Sequence, residues 1–186
     1  MLAIYAALGL LGEGEAPVTP TLDLALAKKH LRVLHDDEDT EIQAYLNAAI
    51  NWVEQYTGQL LTRREVEQEA NRFSAHMPLF YGPKPASLSI DYIDADSAPQ
   101  TITDAMIVRD RIYPATNWPT IATNTPITLT YTAGYSLIPD ALGMAVLLLV
   151  GHYYKNREAI TVTNTNPSEL PLAVESLCRP YRAAFV

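Results

Sequence analysis

One cysteine, Cys178, stands in 186 residues, which excludes an internal disulfide and any thiolate zinc site built from this chain alone. A chain so poor in thiol pairs suits a reducing cytoplasm. Positive charge is also scarce: 13 Lys and Arg face 21 Asp and Glu, for a formal net charge of -8. Non-specific binding of phosphate needs clustered cations that release counterions, so any contact with DNA is expected to be loose. No apolar run is long enough for a membrane helix, since residues 141–150 fall well below the roughly 18 residues required. Residues 1–11 are apolar but lack the basic leader of a signal peptide, and Glu13 and Glu15 follow where a processing site would stand. They are expected to be an extension that is disordered or docked on a neighbour.

The motifs of common active sites are missing as well. There is no GxSxG elbow, no GxxxxGK[ST] phosphate cradle and no GxGxxG, and Gly12-Glu13-Gly14 lacks the strand and helix that would give it meaning. His30, His35, His76 and His152 form neither HxH nor HExxH. His35 with Asp36 and Asp37 has the atoms of a metal site, yet an acidic helix-capping turn accounts for the same residues. Asp91, Asp94 and Asp96 have the carboxylates of two-metal nuclease chemistry, but alternation along a strand separates neighbours and 94–97 reads as a turn. The stretch 152–158 is polar and aromatic without a nucleophile-base pair; Lys155 and Arg157 fit a helix C-terminus and the tyrosines fit a core margin. Cys178 lies on the apolar side of a helix and reads as a packed thiol. No catalytic residue, metal or cofactor is expected.

What is present is a clear order of segments. With 48% apolar residues the chain is long enough for one domain with a core. After a stiff lead-in at residues 17–20, Thr21 is expected to cap a helix over 22–32, with Asp23 near its positive end. The acidic run Asp36, Asp37, Glu38, Asp39 should turn the chain and supply both a cap and favourable charge to a second helix. In that helix Ile42, Tyr45, Leu46, Ala49, Val53 and Tyr56 recur at three- and four-residue spacings, with Glu41, Gln43, Asn47, Asn51 and Glu54 opposite. Gly58 should end it in the left-handed conformation.

Between 62 and 132 short runs of Ile, Val, Thr and Tyr broken by prolines read as strands, clearest at 88–92 and 127–131. Pro139 then sits in the first turn of a helix that is apolar almost all round from 141 to 154, expected at the centre of the core. A polar loop at 161–167 leads to a last short helix opened by Ser168 and Pro171, with Leu172, Val174, Leu177 and Cys178 inward until Pro180 interferes. The expected fold is α+β, in one domain of 186 residues: an extension over 1–20, helices over 21–58, a mainly antiparallel β insertion over 59–135, and helices with a C-terminal tail over 138–183. The N- and C-terminal helices form a small bundle from which the β lobe projects. A lobe with proline-broken edges offers a contact surface for identical neighbours.

This order resembles the head-tail connector, or head completion, family of tailed bacteriophages and gene transfer particles. The likeness rests on Leu26-Ala27-Lys28-Lys29-His30-Leu31-Arg32-Val33 before the acidic run, Trp52-Val53-Glu54-Gln55-Tyr56-Thr57-Gly58-Gln59, Tyr92-Ile93-Asp94-Ala95-Asp96, Tyr131-Thr132-Ala133-Gly134-Tyr135, the helix end at 147–159, Leu170-Pro171-Leu172-Ala173-Val174 and Pro180-Tyr181-Arg182. Two features depart from it: residues 1–11 are unusually apolar, and Gly143-Met144 stands where polar helix formers are usual, which implies a closer helix contact there. The resemblance implies a structural subunit without an active site. It would form a dodecameric ring below the portal protein, bind a tail-side stopper or terminator protein, and let DNA pass without specific binding. It would be made in the host cytoplasm and reside in the virion neck, away from any membrane. Subunit or portal contacts are expected at Asp36, Asp37, Asp39, Glu41 and Asn51, and at a C-terminal docking tail of Arg179, Tyr181, Arg182 and Phe185, because aromatic and Arg side chains are common interface anchors. The rival readings are a metal-assisted nuclease or hydrolase using His35 and nearby aspartates, and an adaptor working outside any virion.

Overall fold

The computed structural model describes residues 22–157 and 172–182, so Thr21, the polar loop, Ser168, Pro171 and Phe185 lie outside the described residues. Helix α1 (Leu24–Leu31) starts two residues later than its sequence pattern suggests, and its cap is Asp23, whose Oδ1 accepts a hydrogen bond from the Leu26 amide at 2.8 Å. The residue expected only to supply charge thus supplies the cap, since a short carboxylate in extended backbone satisfies an orphan helix N–H directly. Arg32 closes α1 with φ at 60°, and the Arg32 and Val33 amides bond back to Lys29 and Lys28.

Helix α2 (Asp39–Thr57) ends at Gly58 with φ 69°, as the sequence indicates. Ile42, Leu46, Ala49 and Val53 are buried, with Tyr45 and Tyr56 packed at the margin. Glu54 departs from the periodicity argument: it is 4% exposed, not on the solvent side. Its Oε1 accepts from the Leu61 amide at 2.8 Å, and Arg64 grips both carboxylate oxygens at 3.1 and 2.8 Å. A buried carboxylate is tolerable only when paired in this way.

The insertion contains seven strands, β1 (Arg64–Ala70), β2 (Met77–Pro78), β3 (Ala86–Ile93), β4 (Pro99–Ile102), β5 (Met106–Val108), β6 (Arg111–Tyr113) and β7 (Ile127–Ala133). They form two antiparallel sheets in the orders β1-β7-β3-β4 and β2-β6-β5. Strand β7 alternates strictly, sending Ile127, Leu129, Tyr131 and Ala133 inward. Against them pack Ile90, Met77, Ile112 and Leu79, so the small sheet covers one face of the larger. Polar side chains fasten the segment between: Gln68 Nε2 donates to the Pro78 carbonyl, Gln68 Oε1 accepts from the Phe80 amide, and the Tyr131 hydroxyl accepts from the Tyr81 amide.

Helix α3 (Asp140–Lys155) packs against α1, α2 and α4 (Leu172–Cys178), which is the central position its apolar sequence implies. Pro139 stands just before the helix and not inside its first turn, where its fixed φ still suits the entry. No tight contact occurs at Gly143: a Cβ there would come no nearer than 4.0 Å to Leu22 Cδ2. Leu172 is 74% exposed, contrary to the inward position expected, because the short helix buries only the stripe at Val174 and Cys178 with Leu177 at its margin. A 3-10 turn at Arg179–Tyr181 follows, as Pro180 breaks the α pattern.

The result is α+β with two cores. The neighbours Leu60 and Leu61 divide between them, Leu60 entering the lobe core and Leu61 the bundle core. Beside them Gly134 has φ 120°, and a Cβ there would lie 2.4 Å from the Thr62 carbonyl oxygen. Only glycine allows the incoming and outgoing chains to run this close.

Candidate functional site

The acidic turn is neutralised from within the bundle. Lys28, at 14% side-chain exposure, donates to Asp36 at 2.5 Å and lies 2.6 Å from Asp39. Glu38 accepts from the Tyr154 hydroxyl at 2.5 Å and from Arg157 at 2.6 Å, and the Arg157 guanidinium also lies 4.7 Å from the Tyr154 ring centre. The bond from Tyr154, with Arg157 beside it, holds the Glu38 carboxyl below the usual range; Lys28 does the same for Asp36. The lysine is raised in turn by its bonds to Asp36 and Asp39. None of these carboxylates caps α2: Glu38 occupies the capping position without a side-chain bond. The acidic run therefore fastens the α1–α2 connection to the end of α3, while Asp39 and Glu41 still face the helix dipole. Asp37, with its side chain 93% exposed, and Glu41 remain on the surface.

The C-terminal candidates lie at the other end of α2. Arg182 stacks over the Tyr56 ring at 5.1 Å, and Tyr56 stacks on Trp52 at 4.9 Å. Tyr181 packs against the bundle core, Arg179 is exposed, and Asn51 lies exposed one residue before Trp52. From Asp39 to Tyr56 is about 25 Å along a helix rising 1.5 Å per residue. The predicted contact residues thus form two separate poles, an acidic one around 36–41 and an aromatic and basic one around 51–56 and 179–182.

Residues that invite a catalytic reading are otherwise engaged. His35 lies 3.8 Å from Asp37, with both side chains exposed. Among the described residues no group of three His, Cys, Asp or Glu is placed to hold a metal. Asp94 accepts from the Asp96 and Ala98 amides and from Gln100, the turn expected from sequence, and these bonds lower its pKa. Asp91 accepts from Thr101 across β3 and β4. Burial pushes the Cys178 thiol up to about 11, far from a nucleophile. Two lobe clefts of about 410 and 200 Å³ hold one Asp each, Asp91 and Asp104. No helix among the described residues is long and apolar enough to cross a membrane.

One charged surface escaped the sequence reading. Glu65, Glu67 and Glu69 on edge strand β1 are exposed on the outer sheet face, opposite Thr132, Thr130 and Thr128 of β7. None of the three has an ion pair among the described residues. Its signal was the period-two placement of glutamate over 65–69, hidden because alternation was sought through apolar residues.

No curated protein matches the chain. Among solved structures it is similar to a chain in the neck of an empty gene transfer agent (GTA) particle computed with C6 symmetry, at 25% identity, with 92% of this chain and 95% of that chain covered and a TM-score of 0.73. A chain of the virion of a native GTA particle matches at 25% identity over 94% and 96%, TM-score 0.72. Another, from the neck of a native GTA particle computed with C12 symmetry, matches at 25% identity over 92% and 94%, TM-score 0.70. The family model for head completion protein matches residues 22–184, from the start of the bundle into the C-terminal tail. An inserted lobe and a bundle built from both ends of the chain accord with that match, and the chain belongs to the head completion protein family.

Proposed function

We propose that this protein is a structural head-tail connector subunit of a tailed phage or phage-like particle, resident in the virion neck and without enzymatic activity. Its copies form a ring, dodecameric below a portal protein, with a tail-side stopper or terminator protein beneath and DNA passing through without specific binding. The observation that carries this reading is the family match over residues 22–184 together with neck chains that agree over more than nine-tenths of both lengths. The net charge of -8 supports free passage, because carboxylates on a channel wall repel phosphate where cations would hold it through many ionic contacts.

The two poles of α2 supply the proposed contacts. Asp36, Asp37, Asp39 and Glu41 mark one end; Asn51, Arg179, Tyr181 and Arg182 mark the other, and Phe185, outside the described residues, is a further proposed contact. A subunit with poles about 25 Å apart suits a ring that meets one partner above and another below. Native mass measurement of the protein with the portal ring of its own particle tests this: twelve copies per portal are expected, and a protein that stays unbound and monomeric beside that portal would sink it. Cryo-EM of the same complex assigns the poles.

A further inference from the structure

An apolar groove opens between the start of α1 and the first turns of α3. Leu22, Leu26, Ile138, Pro139, Met144 and Leu147 line it, Asp140 is its one charged lining residue, and its volume is about 230 Å³. Met144 is 47% exposed beside it, although the rest of α3 is largely covered. The floor is Gly143. Glycine weakens a helix interior, and here no clash demands it, since an added Cβ would meet only Leu22 Cδ2 at 4.0 Å. What glycine does achieve is an open apolar trough wide enough for large side chains.

The chain itself carries a matching segment. Residues 1–11 hold seven large apolar side chains, Met1, Leu2, Ile4, Tyr5, Leu8, Leu10 and Leu11, and no charged one. They join the described structure at Leu22, which lines the groove. The ten residues between, 12–21, reach at most about 35 Å, and Gly12 and Gly14 permit a reversal of direction. A tether this short holds its end at an effective concentration on the order of millimolar around the groove. We propose that residues 1–11 dock in the α1–α3 groove of their own subunit, with their apolar side chains over Gly143 and against Met144 and Leu147. The docked segment would cover Met144, the exposed apolar side chain of α3, before any neighbour meets it.

A nitroxide on Leu137→Cys, exposed next to Ile138, reads the contact in the full chain, because buried Cys178 does not compete for the label. In the monomer the amide signals of residues 2–11 should weaken at least fivefold against the reduced label. Gly143→Leu, which fills the floor, should restore them. Should that variant not fold, Leu8→Asp with Leu10→Asp gives the same readout without touching the bundle. Sharp signals for residues 2–11 in the parent would overturn the proposal. So would weakening that survives the filled groove and the double Asp variant, or weakening seen only when labelled protein is mixed with an isotope-enriched, unlabelled partner.

Discussion

The bundle and the lobe bury similar kinds of side chain but hold them in different ways. In the bundle, long helices satisfy their own backbone, and polar side chains work at the ends: Lys28 with Asp36 and Asp39, Glu38 with Tyr154 and Arg157. In the lobe, strands β2, β5 and β6 are two or three residues long, too short to persist alone. Buried polar groups such as Gln68 and the Tyr131 hydroxyl therefore serve as internal fasteners. The Glu54–Arg64 ion pair and the backbone bonds around Leu60 and Gly134 join the two.

The sharpest way to break this comparison is to ask whether both cores melt together. Leu149→Ala in the bundle and Leu129→Ala in the lobe remove fully buried side chains, and each should cost about 3 kcal/mol in urea unfolding. If the Glu54–Arg64 link couples the units, far-UV and tyrosine signals will shift together in both variants; separate transitions would show two independent units. Glu54→Ala should cost about 2–3 kcal/mol, because it orphans the buried Leu61 amide and frees Arg64. Arg64 is half exposed, so Arg64→Ala should cost less. Gln68→Ala should cost about 2 kcal/mol, since it leaves both the Phe80 amide and the Pro78 carbonyl without their partner.

The smallest effect is expected at Glu38, and it depends on pH. Its folded carboxyl is held low, by Tyr154 first and Arg157 second. The unfolded chain therefore takes up the proton at higher pH. The contribution is complete above the ordinary carboxylate range and fades as pH falls through the lower folded value. Melting temperatures of the parent and Glu38→Gln should accordingly differ at pH 7 and draw together as pH falls below the ordinary carboxylate range.

The bundle was legible because its signals are local. Apolar spacing along 42–56 and Gly58 define α2, and the unbroken apolar texture of α3 places it at the centre. The alternation of strands β3 and β7 was legible for the same reason, but not their pairing with each other, which joins segments far apart in sequence. The three short strands were not, because tertiary partners hold them. Glu54 was assigned to solvent because helical periodicity sorts side chains by polarity and carries no word of Arg64, ten residues later. Thr21 and Asp23 are both good caps by residue type, and the extended backbone of Asp23 with its bond to the Leu26 amide identifies it as the cap. The two poles of contact residues were named as individual positions, but their separation along α2 follows from the folded axis.

The paired chains at Leu60 and Gly134 carry a further consequence. Leu60 donates to the Gly82 carbonyl, Tyr135 donates to the Leu60 carbonyl, and Gly134 donates to Pro83, so the polypeptide leaves and re-enters the helices through one doorway. Topologically the strand-rich unit is a cassette: trimming it, or transplanting another between the same two chain ends, reroutes no helix connection. Evolution could thus remodel the projecting part from particle to particle and leave the helical frame untouched.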